Sequence, residues 1–216
     1  TRDKSEYLSF FEGSRDYDHV GESTVWYLYS ETAAREIKEF SPGARILIML
    51  RHPVEAMYAL HSQFVFSGNE AIEDFERALE AEDRRRSRSS SPETVYYPDG
   101  LLYSDIYRYP AQIRRYFETF GRSRVKVLTL EDLKRDPKSC YQDVLEFLGA
   151  RPFNLRRYEP RNSNCKLKSS FLRHVVREVP GYTLQTLRDI IPVRPCAELW
   201  EHVKPMLVDP IPRPPL

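Results

Sequence analysis

Five consecutive apolar residues, Ile46-Leu47-Ile48-Met49-Leu50, run directly into Arg51-His52-Pro53. An apolar run of this length, bounded by charge, is the pattern of a strand in a parallel sheet covered on both faces. Proline has no N–H and a fixed φ, so Pro53 suits the first turn of a helix. Behind it Val54, Met57, Tyr58, His61, Phe64 and Val65 recur at helical spacing as far as Gly68. Strand, tight turn and helix in that order restrict the chain to an α/β fold.

Further segments repeat the alternation. Val125 to Leu130 reads as a second strand after Gly121, and Asp136-Pro137 opens a helix that Gly149 closes. Ser30 has the position of an N-cap, with Ala33, Ala34, Ile37 and Phe40 at helical spacing before Ser41-Pro42-Gly43. A helix is expected from Ile72 to Asp83, and another from Leu102 to Phe120 that Pro110 kinks or divides. A third strand fits near His19 to Glu22, and short helices fit near Ser169 to Glu178 and Leu184 to Ile190. The expected architecture is a single α/β domain over residues 1–216, in three layers, with helices flanking a mostly parallel sheet. Two or three strands are thin for a domain of this size.

Charge excludes some partners. With 33 Lys and Arg against 32 Asp and Glu, the net charge is +1, which gives no reason to seek nucleic acid or anionic lipid. The run Arg84-Arg85-Arg86-Ser87-Arg88-Ser89-Ser90-Ser91-Pro92 holds phosphates by charge at most, since no aromatic platform accompanies it. It is read as a low-complexity loop, mobile or disordered. No apolar run is long enough to span a bilayer. Three scattered cysteines make neither a disulfide framework nor a metal cluster, and Cys140 falls in an apolar helical pattern and reads as core. A reducing, cytoplasmic setting follows, with the Golgi lumen as the alternative if a membrane anchor lies upstream.

The chemistry concentrates at Arg51. Helix N-termini offer free N–H groups and the positive end of the dipole, and an arginine fork beside them suits a phosphate dianion. In open α/β sheets, ligands bind at the carboxyl ends of the strands. The plainer alternative pairs Arg51 with a carboxylate such as Glu55. His61, on the apolar face, reads as a core or boundary histidine.

Leu50-Arg51-His52-Pro53-Val54-Glu55-Ala56-Met57-Tyr58 resembles the 3′-phosphate-binding motif of sulfotransferases that use 3′-phosphoadenosine-5′-phosphosulfate (PAPS). Gly21-Glu22-Ser23-Thr24 with Tyr27-Leu28 is similar to the family's Gly-Glu-Lys-Thr/Ser-Pro-x-Tyr-Leu segment. Gly68-Asn69-Glu70 through Phe75-Glu76-Arg77-Ala78-Leu79 resembles the stretch after the phosphate helix. Leu128-Thr129-Leu130-Glu131-Asp132-Leu133, Asp136-Pro137 and Phe147-Leu148-Gly149 match its Tyr-Glu-Asp-Leu, Asp-Pro and Phe-Leu-Gly landmarks. The blocks fall in family order from Gly21 to Leu172, nearest to bacterial and heparan-sulfate-type members.

That resemblance implies a fold related to P-loop nucleotide-binding proteins and transfer of a sulfuryl group from PAPS to a hydroxyl or amine. The acceptor would be a small molecule, a carbohydrate or a carrier-bound group, and no metal is needed. Arg51 would bind the 3′-phosphate with His52 beside it. Ser62 is the candidate to replace the family's helix serine, whose position holds Ala59. Lys166, Lys168 and Ser169 match the late loop that closes over the nucleotide, and Tyr107 is a candidate to border the adenine. Glu22 and His19 are the candidates for the base, with a structural carboxylate and a solvated imidazole as their plainer readings. The family's opening strand and its Lys/Arg-x-Gly-Thr/Ser-Thr/Ser loop for the 5′-phosphosulfate have no match in Thr1 to Phe11. The domain is therefore expected to be trimmed or incomplete at both ends. A non-catalytic module that keeps the scaffold and binds nucleotide, a sulfated ligand or a protein is the rival reading.

Overall fold

The computed structural model describes residues 3–87, 98–158, 165–167 and 208–210. In chain order its elements begin with α1 (Lys4–Ser9), α2 (Trp26–Tyr29), α3 (Ala33–Phe40), β1 (Ile46–Leu50) and α4 (Pro53–Ser67). The middle of the chain forms α5 (Phe75–Glu80), α6 (Glu82–Arg86), α7 (Tyr103–Ile106) and α8 (Tyr109–Phe120). The last elements are β2 (Val125–Thr129), α9 (Leu130–Arg135), α10 (Pro137–Leu148), β3 (Cys165–Leu167) and β4 (Val208–Pro210). They group into two compact units, residues 1–51 with 109–158, and residues 52–108 with 159–216.

The first unit is built on β1 and β2, which pair in parallel from Ile46 opposite Val125 to Leu50 opposite Thr129. Side chains alternate across a strand, so Ile46, Ile48 and Leu50 share one face with Val125 and Val127. That face is the core. Ile48 and Val125 are buried with Ala34 of α3 and Tyr116 and Phe120 of α8. On the other face α10 packs against β2, where Lys126 pairs with Asp143 at 3.9 Å and Cys140 is buried. Beside β1 that face is open, leaving Leu47 and Met49 40% and 49% exposed. The strand forms where the apolar run places it, but among the described residues only one of its faces is covered.

Local chemistry sets the helix ends. Ser30 Oγ accepts the Ala33 N–H at 3.1 Å, and the Thr129 and Asp136 side chains accept the Asp132 and Ser139 N–H groups. Gly149 ends α10 with φ 68°, a conformation that glycine adopts without Cβ strain. Pro110 takes the second place in α8, so the long helix expected over Leu102 to Phe120 is divided ahead of the proline, into α7 and α8.

Residues 17–25 belong to no strand, contrary to the strand expected near His19 to Glu22. Its hydrophobic residues Tyr17, Val20 and Val25 are all exposed, so nothing draws this stretch onto the sheet.

In the second unit Ala78, Leu101 and Tyr103 form a small core with Met57, Leu60, Phe64, Ile72 and Leu79. The helix expected from Ile72 starts later, because Asp74 caps α5 by accepting the Arg77 N–H at 2.9 Å. Arg84 to Arg86, read as loop, form the last turn of α6. Arg85 is buried against Glu70, with 2.9 Å between Nη2 and Oε2. A run of charges looks solvated in sequence, and only the distant carboxylate makes one of them interior. The rest of that run, at 88–92, lies outside the described residues, as do the helices expected after Ser169. β3 and β4 pair antiparallel, Cys165 opposite Pro210 and Leu167 opposite Val208.

Candidate functional site

Arg51 follows the last residue of β1 and is half-buried at the carboxyl end of the parallel pair. Tyr109, the first residue of α8, lies against it: the Arg51 peptide N–H bonds to the Tyr109 hydroxyl. Burial raises the pKa of this phenol, Arg51's backbone bond and charge lower it, and the nearby charge of Glu131 raises it. The net shift is upward. Tyr109 is a residue that the sequence reading passed over. Its signal was topological, since a helix that leads into a parallel strand brings its own N-terminus to that sheet's carboxyl edge.

The chain continues from Arg51 through His52 into α4. His52 is exposed, and its side chain makes no capping bond to the helix. The first intrahelical bond runs from the Ala56 N–H to the His52 carbonyl at 2.9 Å. Ala59 and Ser62 are half-buried on α4. Tyr107 caps the C-terminus of α7. Lys166 was expected in a loop but lies in β3, opposite Asp209. Lys168 and Ser169 fall outside the described residues.

Glu22 sits in a cluster that the sequence did not announce. Its Oε1 accepts the Tyr7 hydroxyl at 2.9 Å and the Tyr27 hydroxyl at 2.6 Å. Both phenols are pushed up by this arrangement. Tyr7 rises to about 12 through burial and its bond to Glu22, and Tyr27 rises further, chiefly through its shorter bond to that carboxylate. Glu22 bonds to neither His19 nor Arg51, and His19 is exposed without a hydrogen bond among the described residues.

Other polar clusters are structural. His61 is buried, as read from the sequence, with Nε2 2.8 Å from the Ile72 carbonyl. Glu70 accepts Arg85, the Ile72 N–H and the Tyr103 hydroxyl. Among the described residues no group of His, Cys, Asp and Glu is arranged to hold a metal, and no helix is long and apolar enough to cross a membrane.

No family model and no curated protein matches the chain. A solved structure does: a sulfotransferase from Alicyclobacillus acidocaldarius, 33% identical, with a TM-score of 0.62 over 74% of this chain. The chain has a sulfotransferase-like fold. It spans 63% of the length of that protein. The sulfotransferase-like architecture here is mixed helix around a small parallel sheet, with Arg51 and Tyr109 at the sheet's carboxyl edge.

Proposed function

We propose that this chain carries the 3′-phosphate half of a PAPS-dependent sulfotransferase site. The observation that carries the reading is Arg51 at the carboxyl end of β1, the edge where α/β sheets bind ligands. A guanidinium fork at that edge suits a phosphate dianion. Tyr109 fixes the Arg51 backbone in support of that role. His52 adjoins the same turn. Ser62, Tyr107, Lys166, Lys168 and Ser169 are carried as nucleotide contacts by the family resemblance alone.

PAPS supplies a sulfuryl group already activated by its link to the 5′-phosphate. The transfer follows the logic of phosphoryl transfer, in which positioning and charge stabilisation supply most of the catalysis. This chain's residues anchor the nucleotide through Arg51 and take the acceptor's proton through Glu22, the candidate base with an exposed, oriented carboxylate. The acceptor is a hydroxyl or amine on a small molecule, a carbohydrate or a carrier-bound group. Cations for the departing 5′-phosphate belong to the segment that the resemblance places upstream.

Calorimetry tests the assignment. Arg51→Ala should weaken binding of 3′,5′-adenosine bisphosphate by one charge-assisted bond, about 1.5–3 kcal/mol, and leave adenosine 5′-phosphate nearly unchanged. Equal losses for the two ligands would show that Arg51 does not hold the 3′-phosphate.

A further inference from the structure

Both hydrogen-bond donors to Glu22 converge on one oxygen. A carboxylate that only ties two segments together has no need of this, since each of its oxygens can serve one segment. Here Tyr7 of α1 and Tyr27 of α2 both donate to Oε1, and Oε2 takes no hydrogen bond among the described residues. Each phenol is anchored on its own side. The Tyr7 ring meets Phe11 and Phe40 edge-on, with centroids 5.1 Å and 5.6 Å away. Tyr27 is tied to α8, because the Tyr116 hydroxyl donates to the Tyr27 carbonyl at 2.7 Å. Two donors at fixed points hold the carboxyl group in one orientation, and Glu22 is exposed.

We propose that Tyr7 and Tyr27 are positioning residues that clamp Oε1 of Glu22 and thereby present Oε2 as the proton acceptor for sulfuryl transfer. The clamp rests on the reading of Glu22 as the base. In the step it serves, the acceptor oxygen or nitrogen forms a bond to sulfur. The sulfur–oxygen bond to the 5′-phosphate breaks, and its electron pair leaves on the phosphate oxygen. The acceptor's proton passes to Glu22 Oε2. Nothing is oxidised or reduced. Both phenols hold their protons well above neutral pH, so they remain donors while the carboxylate works.

The test uses the full-length protein with PAPS and water as the probe acceptor, so that no natural acceptor need be known. Rates of 3′,5′-adenosine bisphosphate release, KM for PAPS and calorimetric affinity for the bisphosphate are measured for Glu22→Gln, Tyr7→Phe, Tyr27→Phe and the double Phe variant. Glu22→Gln should lower kcat by roughly 10²–10⁴. Each Phe variant should lower it about tenfold, as for one charge-assisted hydrogen bond, with KM and bisphosphate affinity unchanged. Wild-type turnover in Glu22→Gln would overturn the base reading and the clamp with it. Lost turnover in Glu22→Gln but wild-type kcat in the double Phe variant would leave the base standing and reject the clamp. A parallel fall of kcat and bisphosphate affinity in the Phe variants would also reject it, since a loosened fold acts on both.

Discussion

Gly149 meets two demands at once. Its φ of 68° lies where a Cβ is strained, and a Cβ built there would come within 3.0 Å of Arg45 Nη1. That guanidinium is held in place because Nη1 donates to the Phe147 carbonyl, one of the orphan acceptors at the end of α10. Gly149→Ala should therefore cost about 1–2 kcal/mol from the left-handed backbone alone, and more if Arg45 is displaced. Urea unfolding reads the loss, and a change below about 0.5 kcal/mol would show that the turn relaxes freely. The glycine was legible in sequence as a helix stop. The arginine that crowds it was not, because 104 positions separate Arg45 from Gly149 and no local pattern records the approach.

Among elements, those with a strong local period were the readable ones. β1, β2, α4 and α10 lie where apolar spacing, Pro53, Pro137 and the closing glycines put them. The Arg-rich end of α6 was misread because a buried ion pair has no local signature. Arg85 bonds Glu70 at 2.9 Å and the Leu101 carbonyl at 3.2 Å, which joins α6 to the turn before α5 and to the entry of α7. Removing one partner leaves a buried charge uncompensated. Arg85→Met is expected to cost about 3–5 kcal/mol, and adding Glu70→Met should recover part of it. Thermal and urea unfolding of the single and double variants give the comparison. If the double variant loses as much as the sum of the two singles, the pair has no coupling and the account fails.

At the scale of the molecule, β1 matters most. Among the described residues it is hydrogen-bonded only to β2, and Leu47 and Met49 face outward beside that unpaired edge. An apolar face next to open backbone N–H and C=O groups is a template for another strand. We propose that further chain of the full-length protein lies along β1, as the resemblance to the sulfotransferase family implies, and that residues 1–216 are only marginally stable by themselves. Leu47→Ser and Met49→Ser should each cost about 1.5–3 kcal/mol in the full-length protein, where the side chains are covered. In residues 1–216 alone the same changes should cost less than about 0.5 kcal/mol. Equally small losses in both would show a face that stays open to water.

The sequence by itself determined the α/β character, the strand that ends at Arg51, the helix starts at Pro53 and Pro137, and the helix stop at Gly149. Those follow from φ restrictions and apolar period, which act within a few residues. Only the tertiary structure decided that Arg85 is interior, that Tyr109 stands against Arg51, and that two tyrosines hold Glu22 by one oxygen. Each of these depends on groups far apart in the chain meeting at hydrogen-bond distance. Charge, exposure and orientation are properties of that meeting and not of the residues that enter it.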